Sequence, residues 1–522
     1  MSSSRLKDAA IIATVSGITT LNVFLSGALT VALPAIGRDL NFKQADLQWP
    51  VNVFNLSYGC MVLFFGRLGD IFGGKPMFLA GSAWFGIWSL AAAFAQNHVA
   101  FILFVAFKGL GAAANTPAGV SLFVHYFPPG PTRNRAFGIL GAGQPIGFIL
   151  GLVLGGLLVE SSATWRCIFY IQTGLAGLLV ALGLIVLDND KSDRTYYSKG
   201  LDWGGAILST SGVGLLTYSL ADSTSAPRGW ANPRIIALAC VSLVLLIAFW
   251  YYEVWRENRD LSVLMPPRMW RQKKTKLKAF IAMVFFAWWN FNVLTYFTTL
   301  YFQQVNLLTP IQTSVRFIPM VIAGFIVNLA GGLLMSHVPS QILVLFGLCG
   351  SIVSPILLAT INVNGSYWTT VFWVMILVVG VDIAYPIGSM HLSSAFGRDS
   401  QALAGGIFSV ATRLGTSIGI AVTSSIATAI TQKYAKIHNL SSESSPEALM
   451  VGYRAGAWTL LAVGLLAFGI ALVGLRGIGY VGQKRDKVDG DNDNGRTPSA
   501  RGEERDGGND VELSVIEKNT EI

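Results

Sequence analysis

Gly66-Arg67-Leu68-Gly69-Asp70-Ile71-Phe72-Gly73-Gly74-Lys75 is a short polar break between two long apolar runs, Val51 to Phe65 before it and Pro76 to Ala95 after it. A chain that crosses an oily medium, turns within a few residues and crosses back needs such a break. Glycines at 66, 69, 73 and 74 permit the tight turn. Arg67, Asp70 and Lys75 are too costly to leave in hydrocarbon, so the turn belongs at a water-facing surface, where it reads as a cytoplasmic hinge.

The same alternation runs through the whole chain. Its 522 residues are 52% hydrophobic and only 12% charged, with a mean hydropathy of +0.55, outside the range of soluble globular domains. Apolar runs of about 20 residues recur roughly fourteen times, each long enough to cross a core of about 30 Å as a helix. They lie near residues 10–34, 47–65, 76–95, 99–125, 136–160, 166–187, 203–221, 234–254, 279–304, 313–335, 341–361, 367–390, 402–431 and 454–475. The fold class is therefore an all-α membrane protein with 14 transmembrane helices.

A net charge of +9 suggests nucleic acid until the basic residues are placed. With both termini on one side, about 26 Lys and Arg fall there, about 8 on the other side and about 3 within spans, as the positive-inside rule requires. Both termini are expected to be cytoplasmic, the bilayer is the partner, and no nucleic acid is expected. The first run is too long for a cleaved signal. Cys60, Cys167, Cys240 and Cys349 all fall inside spans, so neither a disulfide nor a metal is read from them. No Walker motif is present, no cofactor is expected, and no paired acids, His-rich cluster or Ser/His arrangement recurs within the spans to suggest an enzyme.

The hinge resembles motif A of the major facilitator superfamily, Gly-x-x-x-Asp-x-x-Gly-x-Lys/Arg between spans 2 and 3. Other blocks resemble the family in the same order. Thr30 to Gly37 closes span 1 around Pro34, Lys108-Gly109-Leu110-Gly111 to Pro117 is similar to motif B, Gly141 to Gly156 to motif C, and Trp165-Arg166-Cys167-Ile168-Phe169 to the opening of span 6. The likeness covers residues 10 to 476. It departs at Leu25, where drug exporters often carry aspartate, at Val105, where motif B has arginine, and at Phe148 and Leu152, where motif C tends to have prolines.

The resemblance implies two six-helix bundles, residues 10–187 and 279–476, behind a cytoplasmic N-terminus at 1–9. Between them, 188–278 carries two extra spans and the basic loop Arg268 to Lys278, which suits an anionic inner leaflet. Residues 477–522 read as a disordered cytoplasmic tail. The extra pair is the mark of the fourteen-span drug:proton antiporter branch, and the overall character is similar to its fungal members. For the hinge, the resemblance implies a conformational latch of Gly66, Asp70, Gly73 and Lys75, with Asp70 facing the start of span 13 near Ser400 to Ala404 and Arg133 or Arg135 as partner.

Polar residues inside spans supply the candidate site. Asp382 lies four residues before Pro386, whose missing N–H breaks the helix beside a protonatable group. It is a candidate for proton coupling, the alternative being a structural pair with Arg413 of span 13. Lys108 is the other candidate, either facing a cavity or held in a buried contact. The amides Asn22, Asn52, Asn115 and Gln144, followed by Asn290, Asn292, Gln303 and Tyr385, are the candidate substrate-cavity residues. Gly143, Gly147, Gly151 and Gly155, four apart, form a ridge for close helix packing, with an export-specific role as the alternative. Asn364 and Asn439 open glycosylation sequons expected on the outer side.

The expected function is proton-driven export of a small organic compound such as a drug, toxin or secondary metabolite, by alternating access. The protein is expected to act as a monomer in the cell membrane, a vacuolar or other internal membrane being the alternative. The competing functions are a proton-independent or importing carrier for a small, ammonium-like solute, and a membrane sensor that no longer transports.

Overall fold

The computed structural model describes residues 3–42, 49–161, 164–188, 201–225, 229–271, 276–363, 365–395, 401–438 and 445–479. The chain folds into long helices whose ends are written in the sequence. Asn97 caps one with its side chain on the Ala100 N–H at 2.8 Å. Thr309 and Gln312 form a reciprocal capping box, with Pro310 at the first helical position.

Six helices come first: α1 (Ser3–Asp39), α2 (Trp49–Phe72), α3 (Gly74–Ala93), α4 (His98–Tyr126), α5 (Pro131–Glu160) and α6 (Arg166–Val186). The middle pair is α7 (Trp203–Ser225) and α8 (Pro233–Glu257). Then follow α9 (Leu277–Leu300, prolonged by a π turn Tyr301–Val305), α10 (Pro310–Leu334), α11 (Ser340–Ala359), α12, α13 (Gln401–Ile437) and α14 (Pro446–Gly474). α12 is composite, running from Val371–Val378, tightening to a 3₁₀ turn over Val379–Ile383 and resuming over Ala384–Ala395.

Each of the fourteen expected spans thus overlaps a helix. Among the described residues, thirteen helices are long and apolar enough to cross a membrane. α7 is the long helix outside that set, because its Ser, Thr and Gly residues dilute its apolar character.

Consecutive helices run in opposite directions. Arg166 at the start of α6 meets Asp39 at the end of α1 at 2.5 Å, and Lys7 at the start of α1 meets Asp188 just after α6 at 2.6 Å. All odd-numbered helices after α1 therefore begin at the end of the bundle that holds Gly73, called here the hinge end. The hinge is not the ten-residue loop that the sequence suggests. α2 continues through Asp70 to Phe72, α3 starts at Gly74, and the whole reversal falls on Gly73 at φ 97°. That conformation is accessible to glycine and strained for other residues, so a single residue turns the chain and leaves Asp70 on a rigid helix.

At the hinge end the early and late helices meet along two seams. On the first, α2 lies so close to α13 that a Cβ on Gly66 would stand 3.0 Å from the Ala402 carbonyl oxygen. On the second, α5 and α10 cross where a Cβ on Gly138 would be 2.9 Å from Gly332 Cα. The extra helix α7 packs against α2 and α13, and α8 packs against α7. Within the first six helices, the glycine ridge of α5 lies directly on α1. Cβ atoms on Gly143 and Gly155 would reach Thr20 Oγ1 at 2.6 Å and Ala28 Cα at 3.0 Å, and those on Gly147 and Gly151 would strike the carbonyl oxygens of Thr20 and Phe24.

The residues through Gln483 cluster as one unit and Lys484–Ile522 as another. The second unit, with the expected tail from residue 480, lies outside the described residues, as do Asn364, Asn439 and residues 272–275 of the basic loop.

Candidate functional site

A cavity of about 290 Å³ lies between α1, α2, α4 and α5 on one side and α9, α10, α12 and α13 on the other. Six of the residues singled out from the sequence line it: Asn22, Gln144, Asn292, Asp382, Tyr385 and Arg413. Its wall is mixed. Trp288, Tyr385 and Phe408 form one aromatic cluster, with the Tyr385 and Phe408 rings edge to face at 5.4 Å and Trp288 edge-on to Phe408 at 5.9 Å. Amides interrupt that apolar surface, and some are already engaged. Asn22 donates to Asn115 Oδ1 at 2.9 Å, and Asn292 donates to the Trp288 carbonyl at 3.0 Å.

Asp382 sits in the 3₁₀ turn of α12. The break therefore includes the acid itself and lies one turn before Pro386, the residue from which the sequence predicts it. The carboxylate projects towards α10 and α5, where a Cβ on Gly324 would lie 3.2 Å from Asp382 Oδ2 and 3.5 Å from Pro145. Among the described residues Asp382 has no ion pair. Arg413, its alternative partner, is committed elsewhere. It donates to Asn55 Oδ1 at 2.6 Å and lies 4.5 Å above the Tyr58 ring. In place of the alternative pairing of Asp382 with Arg413, the structure has an Asn55–Arg413–Tyr58 group joining α2 to α13.

Other candidates lie away from the cavity wall. Asn115 is one row behind Asn22 and 1% exposed. Asn290 turns to the opposite face of α9 and donates to the Ser351 and Leu460 carbonyls at 3.0 and 2.9 Å, tying α9 to α11 and α14. Gln303 stands in the π turn beyond the cavity, and Asn52 lies one turn from Asn55 on α2, also off the wall. Lys108 does not face the cavity either. It is fully buried between α3, α4 and α6, donating to Gln172 Oε1 at 2.5 Å and Ser89 Oγ at 3.1 Å, with the Phe85 and Phe169 rings 4.5 and 5.0 Å away. Two neutral acceptors and two aromatic faces hold it there, so its position is the buried contact, not the proton-coupling wall.

At the hinge, Asp70 Oδ1 accepts the Ala402 N–H at 2.9 Å and Oδ2 the Leu403 N–H at 3.1 Å, at the N-terminus of α13. The unpaired N–H groups of a helix start favour such a carboxylate. Arg67 Nη1 lies 3.9 Å from Asp70 Oδ2. Arg135 is exposed, and Lys75 reaches the Leu187 carbonyl at 2.5 Å.

The sequence reading missed Asn55, Tyr58, Asn328 and Thr412. Asn55 and Tyr58 are three apart in a largely apolar run, a spacing that puts them on one helix face and could have disclosed them.

Residues 15–420 match the family model described as Major Facilitator Superfamily. The chain belongs to that superfamily. Members similar to it include MFS-type transporter 1 of Pyricularia oryzae, 31% identical over 92% of this chain and 85% of the relative. The low affinity ammonium transporter of Saccharomyces cerevisiae is 29% identical over 78% of this chain and 79% of its own length. Efflux pump terJ of Aspergillus terreus is 25% identical over 85% and 83%. Among solved structures, the human organic anion transporter MFSD10 superposes with a TM-score of 0.61 at 12% identity, covering 90% of this chain and all of that one, a likeness of fold. This is a multi-pass membrane transporter of the superfamily, a family that carries small molecules.

Proposed function

We propose that the protein exports a small amphipathic organic compound in exchange for protons, as a monomer of the fourteen-span branch, by rocking α1–α6 against α9–α14 around the central cavity. The observation that carries this reading is Asp382: a carboxylate without an ion pair among the described residues, at a helix break, on the wall of a cavity built from both sets of helices. Aromatic rings and unblocked amide atoms suit a flat organic molecule with a few polar groups. The efflux pump among the relatives supports the direction, and the charge bias supports a cytoplasmic hinge end. On this reading the described state is closed to the cytoplasm, with Asp70 as its latch.

One observation favours a second reading, carriage of a small cation such as ammonium: the likeness to the yeast ammonium transporter extends over most of both chains. Proteoliposomes separate the two. With an acid interior, uptake of a fluorescent amphipathic dye is expected to appear with the gradient and collapse with an uncoupler. Movement of labelled methylammonium without a gradient, and no movement of the dye, would overturn the export reading.

The latch has its own test. Asp70→Asn removes the charge that meets the N-terminus of α13 while leaving one acceptor, a loss of about 1–2 kcal/mol. The closed state should then fall about tenfold relative to the open one. Spin labels across the α2–α13 seam should report a longer, broader distance distribution, and an unchanged distribution would remove Asp70 from that role.

A further inference from the structure

The extra helices α7 and α8 carry an acid pair that the cavity does not use. Asp202, immediately before α7, is 2% exposed, and Glu253, one turn from the end of α8, is fully buried. Asp202 Oδ1 accepts the Gly205 N–H at 2.8 Å. Its other oxygen, Oδ2, is buried and receives no hydrogen bond. Arg256 Nε is 3.3 Å from that oxygen but donates its N–H to the Ser262 carbonyl at 2.7 Å. Glu253, for its part, accepts the Leu264 N–H on Oε1 at 3.2 Å and the Met265 N–H on Oε2 at 3.1 Å.

The two carboxyl groups converge over Gly205. A Cβ there would lie under 3.0 Å from both Glu253 Oε1 and Asp202 Oδ2, and the two side chains are within hydrogen-bonding reach of each other. Carboxylate oxygens are acceptors only, so two of them facing each other away from water need a donor between them.

We infer that Asp202 Oδ2 and Glu253 Oε1 share one proton, a proton-binding site distinct from the cavity, and that this proton fastens the segment after α8 to the bundle. The cluster then holds one carboxylate and one guanidinium, Arg256. Loss of the proton leaves two carboxylates against that single cation.

The other charged groups nearby are engaged. On α8, Tyr252 accepts from Arg256 Nη1 at 3.2 Å, and Glu257 pairs with Arg268 at 3.0 Å. In the segment itself, Arg259 lies 4.3 Å over Trp255, next to Asp260. From α2, which packs on α7, Asp70 is bound to α13, Arg67 stands beside it and Cys60 lies further along, opposite Gly214. From α13, Arg413 is bound to Asn55. Among the described residues Arg256 is the cation in ion-pair contact with the acids.

The clasp has reach beyond its own loop. Leu264, held through its N–H, is fully buried in the main core. Met265 next to it lines a second, apolar cavity of about 560 Å³ together with Leu63 of α2, Phe285 of α9 and Ile407 of α13. The proton therefore secures a segment that borders the α2–α13 seam.

The test uses the full-length protein in detergent. Asp202→Asn places an N–H where the shared proton lies, whereas Asp202→Ala removes it. The wild-type melting temperature should fall by about 5 °C between about pH 6 and about pH 9. Asp202→Asn should be flat over that range, and should keep the amides of residues 261–267 protected from hydrogen exchange, with Asp202→Ala losing that protection. Wild-type-like pH dependence in Asp202→Asn, or equal loss of protection in the two variants, would overturn the proposal. Infrared spectra of Asp382→Asn protein supply a measurement independent of the Asp202 variants. A protonated-carboxyl band should persist near pH 7 and vanish near about pH 10, and its absence at pH 7 would also overturn the proposal.

Discussion

Asp382→Asn is expected to abolish proton-driven transport, by about a hundredfold or more, the scale on which removal of a proton-transferring group acts. The protein should still insert and fold. Asparagine has the shape of the acid and retains one acceptor, so the 3₁₀ turn at Val379–Ile383 and the packing towards α10 survive. What it loses is the ability to take up and release a proton. The geometry separates this outcome from a structural one. Had Asp382 been the counter-ion of Arg413, the amide would strand a charged guanidinium within the membrane and destabilise the bundle. Arg413 instead rests on Asn55 and Tyr58, so the variant should melt close to the wild type. Transport assays can go further. Exchange of dye for dye across a membrane without a gradient requires the cavity and the rocking motion but no net proton movement, and should persist in Asp382→Asn. Gradient-driven accumulation should not. A variant that accumulates dye as the wild type does would show that coupling resides elsewhere.

The fold was legible because a membrane leaves the backbone few choices: each apolar run had to be a helix, and the polar breaks had to be its ends. The site was legible only in part, and the difference lies in helix rotation. A run such as α9, apolar on nearly every face, gives no periodic signal for which side meets the cavity. Asn290 and Asn292 looked equivalent in sequence, yet two residues turn the helix by about 200°, sending one to the α11–α14 packing and the other to the wall. Lys108 was left between a cavity and a buried contact for a related reason. Depth in the membrane could be counted from the sequence, but its acceptors Ser89 and Gln172 come from α3 and α6, and only the tertiary arrangement brings them to it. The Asp202–Glu253 pair escaped notice because its members stand 51 residues apart at the margins of two spans, where isolated acids are ordinary. The hinge was read correctly as a reversal and incorrectly as a loop, since one glycine at positive φ replaces the several residues that a turn normally takes.

Gly147→Leu should yield little or no folded protein, and Gly147→Ala should fold with a melting temperature lower by several degrees. The cause is the carbonyl of Thr20. A Cβ on Gly147 would meet that oxygen, its carbon and Thr20 Cα together, all backbone atoms of α1 that no rotamer change can move aside. The helices would have to separate, and because Gly143, Gly151 and Gly155 share the ridge, separation at one point opens the contact along its length. Overpacking a fixed interface costs about 1–3 kcal/mol even for modest additions, and leucine adds four carbons. Gly174→Ala on α6 is the matched control: its Cβ would find nothing within 4 Å, so the methyl should instead stabilise the helix by up to about 1 kcal/mol. Fluorescence-detected size-exclusion and thermal melts of the three proteins read the difference directly. They also decide between the two meanings of the ridge. If Gly147→Ala melts as the wild type does but transports poorly, the glycines serve the export cycle; if it melts early while the surviving folded fraction still transports, they serve the contact between α1 and α5.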